Sequence, residues 1–335
     1  MRITKDLLHK YAIETVKQRQ RSEPDLHAVY LTGSVLSDNP MLGGTTDIDM
    51  VFVHKYQAPV QREIVPLTRE VSLDIVHTVQ DDYAKHRELR KDPNLGYPLT
   101  HYNINLYDTD HWLEFIQSCT NADFQRPDFV LTRVKFFFDQ ARENWLALNT
   151  KSFENHLAWL DFFLASLEAA ANAVAGLTGA PLTTRRFMLT LQNRLERLGT
   201  PHLMEIFLQL LGFVNIQDEK ILEWLTDFEN DYDVVPTTDN LPIHLGASRR
   251  AYYVDAIRAL AESGDPSQAA WPLIRTWLDV HLAAGKSRTK RDAWDSCLDT
   301  LGLTQENHTE KTDTFDVYLD QIEIVLEAWA NAYGI

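Results

Sequence analysis

Residues Thr46-Asp-Ile-Asp-Met-Val-Phe-Val53 alternate carboxylates with apolar side chains and then run on wholly apolar. That pattern predicts a β-strand. A strand turns every second side chain to the same face, so Asp47 and Asp49 emerge together, about 7 Å apart along the chain. Two carboxylates held this close repel each other, and a cation between them relieves the repulsion. Hard oxygen donors of this kind suit Mg²⁺ or Mn²⁺.

Two further stretches bear on this pair. Upstream, Ala28-Val-Tyr-Leu-Thr-Gly-Ser34 reads as a short β-branched and aromatic strand that stops at Gly33-Ser34. Glycine there lets backbone N–H groups approach anionic oxygens closely, and a helix opening after the turn favours their charge. Downstream, Glu70-Val-Ser-Leu-Asp-Ile-Val-His-Thr78 is a second strand-like run with Asp74 near its middle. A carboxylate flanked by Leu73, Ile75 and Val76 costs several kcal/mol unless it is paired or metal-bound, so a buried salt bridge is the structural alternative to a ligand role. If this strand lies beside the Asp47 strand, three carboxylates converge, a set able to hold two divalent ions.

Gly33-Ser34, a loop, Asp47-Ile48-Asp49-Met50 and a later strand carrying Asp74 resemble the signature of the DNA polymerase β-type nucleotidyltransferase superfamily. The resemblance covers roughly the first third of the chain. It implies that Gly33 and Ser34 meet the triphosphate of an NTP, that Asp47 and Asp49 hold the metals, and that Asp74 binds one metal and helps deprotonate the acceptor hydroxyl. Thr46, just before Asp47, suits the small hydroxyl residue often found there, and Gly43-Gly44 allows a tight approach to the strand. Val35-Leu36-Ser37-Asp38-Asn39-Pro40 departs from the family by supplying no arginine after Gly-Ser, so the phosphate-side cation has to come from elsewhere. The implied activity is transfer of a nucleoside monophosphate from an NTP to a hydroxyl, with Mg²⁺ or Mn²⁺ and release of pyrophosphate. Two other readings stand beside it: the nucleotidyltransferase component of a toxin–antitoxin-like module, and a degenerate nucleotide-binding protein without catalysis.

Composition narrows the acceptor. The net charge is −16, from 32 basic and 48 acidic residues, with no dense Lys/Arg run. Binding a long nucleic acid gains affinity by neutralising phosphates, so a small-molecule or protein acceptor is expected rather than DNA or long RNA. With 44% hydrophobic and 24% charged residues the chain reads as an ordinary globular protein. No long apolar run or N-terminal signal pattern is seen, and Cys119 and Cys297 are too few and scattered for a disulfide framework or zinc site, so a cytoplasmic setting without membrane contact is expected.

The order of elements predicts an α+β protein. A helix over residues 4–21 precedes a strand over 26–31; the Asp47 strand runs to about His54, residues 60–67 form a short connecting element, and a charged helix over 80–91 follows the Asp74 strand. Leu99-Thr-His-Tyr-Asn-Ile-Asn-Leu-Tyr107 alternates enough to predict another strand, ending in the Leu106-Tyr107-Asp108 triplet often found in the superfamily. A helix over 110–118 closes this part, giving a nucleotidyltransferase-type mixed sheet with flanking helices over residues 1–125. Residues 126–335 read as an all-helical substrate-binding or partner domain, interrupted at Gly176–Gly179, Gly199–Pro201 and Val235–Pro242, with the cleft expected between the two.

Other candidates lie in the helical part. Arg185 and Arg186 follow Thr183-Thr184 at a helix start and offer either phosphate contacts or a pair of surface arginines; Arg133 and Lys135 have similar standing. His54 and His77 sit near the ends of the two aspartate strands, but no metal-ligand spacing links them, and caps or neutral imidazoles are the expectation. Trp159, Phe162, Phe163 and Leu167, with most of Trp224, Trp271, Trp277 and Trp294, read as helix core. Arg197-Leu-Gly-Thr-Pro-His202 has the spacing of an Arg-x4-6-His nuclease motif, yet Gly199 and Pro201 break the helix that motif needs.

Overall fold

The computed structural model describes residues 3–100, 103–234, 241–284 and 292–335. The protein is α+β: a five-stranded mixed sheet lies in its N-terminal half, and the C-terminal region is helical. The chain divides into two compact units. Met1–Phe129 with Gly246–Ala256 form one, and Val130–Leu245 with Ile257–Ile335 the other. The sequence places the division at 125 and assigns all that follows to the helical part. Residues 246–256 instead join the first unit.

In the first unit, α1 (Lys5–Ser22) precedes β1 (Leu26–Thr32), β2 (Thr46–His54), β3 (Arg62–Pro66) and β4 (Val71–Val79). After α2 (Gly96–Thr100) come β5 (Ile104–Asp108) and α3 (Trp112–Asn121). The sheet order is β3-β4-β2-β1-β5, with β2 and β4 parallel and the other pairs antiparallel.

Alternation along the strands sorts their side chains between two apolar layers. Ile48, Met50 and Phe52 of β2 and Val71, Leu73 and Ile75 of β4 pack with Leu8, Ala12 and Val16 of α1. Val51 and Val53 turn the other way, joining Ala28, Tyr30, Tyr83 and the Leu113–Ile116 face of α3. Asp47 and Asp49 belong to this second set by parity, at the N-terminal end of β2.

Three sequence expectations are corrected here. Residues 80–91 are not one helix but two single 3-10 turns, Gln80–Tyr83 and Glu88–Arg90. Their buried anchors, Tyr83 and Leu89, are six apart and share no helical face, and Tyr83 Oη is held by Thr78 Oγ1 at 3.1 Å and Tyr30 Oη at 3.3 Å. The alternating 99–107 run joins two elements. Its beginning is the end of α2, where Tyr97 and Leu99 are buried, and the strand starts only at Ile104; residues 101 and 102 lie outside the described residues. The connecting element at 60–67 is the edge strand β3. Asp108 ends β5 by accepting hydrogen bonds from Leu113 N at 2.8 Å and Glu114 N at 3.0 Å, so the Leu-Tyr-Asp triplet here caps a helix.

The second unit holds most of the long helices: α4 (Pro127–Thr150), which begins at its boundary, α5 (His156–Ala175), α6 (Phe187–Leu198), α7 (His202–Leu211), α8 (Asp218–Asp233), α10 (Ala270–Ala284), α11 (Asp292–Leu301) and α12 (His308–Tyr333); α9 (Arg250–Ala261) starts in the first unit and ends in the second. α11 is anchored by Trp294, which is fully buried. The break expected at Val235–Pro242 falls largely on residues 235–240, outside the described residues. Trp159, Phe163, Leu167, Trp224, Trp271, Trp277 and Trp294 are core as expected, whereas Phe162 is only half-buried; Phe187 stacks on Trp271 at 4.3 Å and Trp277 is edge-on to Trp294 at 5.2 Å. Among the described residues α5 alone is long and apolar enough to cross a membrane, but 67% of that stretch is buried in the protein.

Phe52 has no exposed surface and sits between the sheet and α1. Phe52→Ala should cost about 3–5 kcal/mol of unfolding free energy, read by chemical denaturation.

Candidate metal and phosphate site

The parallel pairing of β2 with β4 sets Asp49 directly opposite Asp74, and Asp47 opposite Ser72. One carboxylate oxygen from each of Asp47, Asp49 and Asp74 lies within 4.8 Å of the other two. Asp47 is 5% exposed and Asp74 2%, so the group is largely withdrawn from water. Three negative charges at this distance are unstable unless countered.

Two arginines counter part of the charge. Arg62 of edge strand β3 donates from Nε to Asp74 Oδ1 at 2.7 Å and from Nη2 to Oδ2 at 2.6 Å, a bidentate fork. Arg249, on the short turn before α9, donates to Asp47 Oδ2 at 3.2 Å and to Ser72 Oγ at 2.7 Å, and its guanidinium lies 3.5 Å from the Tyr252 ring centre. The two differ in freedom. The Arg62 side chain is half exposed, whereas Arg249, 2% exposed, is held by its hydroxyl and ring contacts.

Among the described residues, no ion pair reaches Asp49. Burial first, and then the charges of Asp47 and Asp74, push its carboxyl well above the ordinary aspartate range, while Arg62 and Arg249 pull only partly in the other direction. A divalent cation would supply the missing positive charge. The donor set therefore fits a hard cation such as Mg²⁺ or Mn²⁺: three carboxylates converge, one has no ion pair among the described residues, and the guanidinium over Asp74 is half exposed.

Gly33 is built against this group. β1 ends beside Asp49, with Thr32 paired to it across the strands, and the next residue turns with φ +74°. A Cβ there would stand 1.9 Å from Asp49 Oδ2, so only glycine fits without moving the carboxylate. Ser34 opens a single 3-10 turn, Ser34–Leu36, and its carbonyl accepts from Ser37 N at 3.0 Å and Ser37 Oγ at 2.7 Å. With so short a helix, any anion at Gly33-Ser34 would rely on individual backbone N–H groups rather than on a summed helix dipole. Gly43, at φ +61°, lets the intervening loop lie against the backbone of Asp255, where a Cβ would come within 2.0 Å of its carbonyl oxygen. Thr46 Oγ1 ties the same loop down by donating to Pro40 O at 3.1 Å.

Gly33, Asp47, Asp49 and Asp74 are thus brought together. Arg185 and Arg186 lie in the helical unit on the turn Thr184–Arg186; Arg185 is buried and Arg186 half-buried, so they are not a solvated surface pair. Arg133 is likewise buried. Gly199, left-handed at φ +72°, ends α6, and His202 opens α7, so Arg197 and His202 do not share a helix. Arg62 and Arg249 join the site without having been expected from the sequence. Arg62 lies in the short run Arg62–Pro66, which shows no polar–apolar alternation to mark it as a strand, and Arg249 lies 202 residues from Asp47 and carries no local signal.

Two measurements probe this geometry. Gly33→Ala should lose about 1–3 kcal/mol of stability, read by chemical denaturation. The raised Asp49 carboxyl binds its proton more tightly folded than unfolded, so its contribution to stability is full at low pH and is lost as pH rises through the folded value. Asp49→Asn should therefore raise the melting temperature of metal-free protein at neutral pH, with the gain vanishing below the ordinary aspartate value of 3.8. No protein-family model matches the chain, and no curated protein matches it either.

Proposed function

We propose that the N-terminal unit is a nucleotidyltransferase of the DNA polymerase β type, moving a nucleoside monophosphate from an NTP to a hydroxyl of a small-molecule or protein acceptor. The observation that carries this reading is the convergence of Asp47, Asp49 and Asp74 beside a glycine turn that only a glycine can make.

Asp47 and Asp49 would hold the divalent ions, and Asp74 would share one of them. Such ions, when bound, neutralise charge that builds on the transferring phosphoryl group and on the attacking and leaving oxygens. Gly33 and Ser34 present backbone N–H groups to the phosphates. In the transfer, the acceptor oxygen bonds to the α-phosphorus as the bond to the bridging α–β oxygen breaks, and pyrophosphate leaves. The acceptor's proton passes to Asp74, and Arg62 has to release at least one Asp74 oxygen first. Its place on an edge strand, half in solvent, permits that. Arg249 stays beside Asp47 throughout and lowers the repulsion among the carboxylates, a positioning role.

One observation favours a second reading. Both Asp74 oxygens are engaged by Arg62, the arrangement expected of a nucleotide-binding protein that has lost catalysis. The two readings part on turnover. In the first, NTP with Mg²⁺ or Mn²⁺ raises the melting temperature and releases pyrophosphate when acceptors are supplied, and Asp47→Asn or Asp49→Asn lowers turnover on the order of 1000-fold. Wild-type activity in both variants would overturn it. A metal-dependent thermal shift with no pyrophosphate release from any NTP across an acceptor screen would select the second.

A further inference from the structure

The opposite face of the same two strands carries a second cluster. His54 ends β2 and His77 lies in β4, both on the side that faces α1, at the far end of the strands from the aspartates. Glu23, the C-cap residue of α1, comes down on them from the helix. One ligand atom from each of Glu23, His54 and His77 lies within 4.8 Å of the other two. The histidines are 2% and 6% exposed.

Three features go beyond proximity. His54 Nε2 and His77 Nδ1 face each other at 2.9 Å, while His77 Nε2 is bonded to Glu63 Oε1 at 3.1 Å. A carboxylate accepting from Nε2 fixes the tautomer of His77 and leaves a lone pair on Nδ1, the relation seen where a carboxylate orients a metal-bound imidazole. Glu63 is itself held, with both oxygens accepting from Arg19 Nη2 at 2.7 and 2.8 Å. Second, Glu23 Oε1 accepts from Arg19 Nη1 at 2.7 Å, but Glu23 Oε2 is buried and without a hydrogen-bond partner. Third, the charges do not balance. Arg19 is shared by two carboxylates, one of them at the negative end of the α1 dipole, beside two imidazoles.

We propose that Glu23, His54 and His77 bind one Zn²⁺-class divalent cation, with Glu63 as the carboxylate that orients His77. Two imidazole nitrogens and a carboxylate oxygen are donors that zinc accepts, leaving a fourth position for water. Ligand atoms around zinc stand about 3.4 Å apart, so the histidine nitrogens need separate by only a few tenths of an ångström. His54 then carries its proton on Nδ1 and offers Nε2. The ion would clamp the end of α1 to the ends of β2 and β4, and it would be chemically distinct from the all-carboxylate site on the other face.

Co²⁺ reports the site directly, because a four-coordinate nitrogen and oxygen set gives intense, longer-wavelength ligand-field absorption bands, whereas six-coordinate carboxylate and water ligation gives only weak ones. Titrated into the full chain, Co²⁺ should give these bands at one equivalent, and Zn²⁺ should abolish them. The bands should persist in the Asp47→Asn/Asp49→Asn variant and disappear in Glu23→Gln. Glu63→Gln, which leaves all three ligands in place, should weaken binding about 10- to 100-fold. Absence of the bands in the folded wild-type protein overturns the proposal without recourse to any variant. It is overturned equally by bands that survive Glu23→Gln or that vanish with the aspartate pair.

Discussion

The parallel pairing of β2 with β4 brings buried negative charge together, and the rest of the first unit is arranged around that fact. In-register pairing puts Asp49 opposite Asp74, and strand alternation adds Asp47 on the same face. Each carboxylate on its own could be answered by a single ion pair. Together, and mostly withdrawn from water, they require cations. Arg62 and Arg249 meet part of that requirement from opposite directions in the chain, and what they leave unmet falls on Asp49.

The surrounding backbone follows from this need. Gly33 gives up a side chain so that β1 can end against Asp49, and Gly43 does so where the loop lies on Asp255. Residues 246–256 join the sheet's unit, and with them come Arg249, the Tyr252 ring stacked on it and Asp255, which pairs with Arg69 at 2.9 Å. A segment that is helical by its local pattern therefore belongs, by its charges, to the carboxylate site.

Alternation has a second consequence. A sheet covered on both faces shows different chemistry on each, and β2 and β4 carry carboxylates on one side and imidazoles on the other, at opposite ends. The two groups share strands but not ligands. Their donor types differ as well: hard oxygens in one, borderline nitrogens with one oxygen in the other. A cation that suits one is not the best match for its counterpart.

Short-range pattern carried much of this in the sequence. The aspartate alternation, the Gly33-Ser34 turn, the strand around Asp74 and the helical character of the second half all depend on residues a few positions apart, and the sequence determined them by itself. Tertiary structure decided what depended on distant partners. Residues 80–91 have helical composition, but their two buried anchors lie on different faces; the 99–107 run alternates across the junction of a helix and a strand. Arg249 reaches Asp47 across 202 residues, and Glu23, His54 and His77 meet only because a helix end lands on two paired strands. Periodicity records which face of an element is buried. It holds no record of which distant charge will be placed there, because that is fixed by the register and packing of the folded chain.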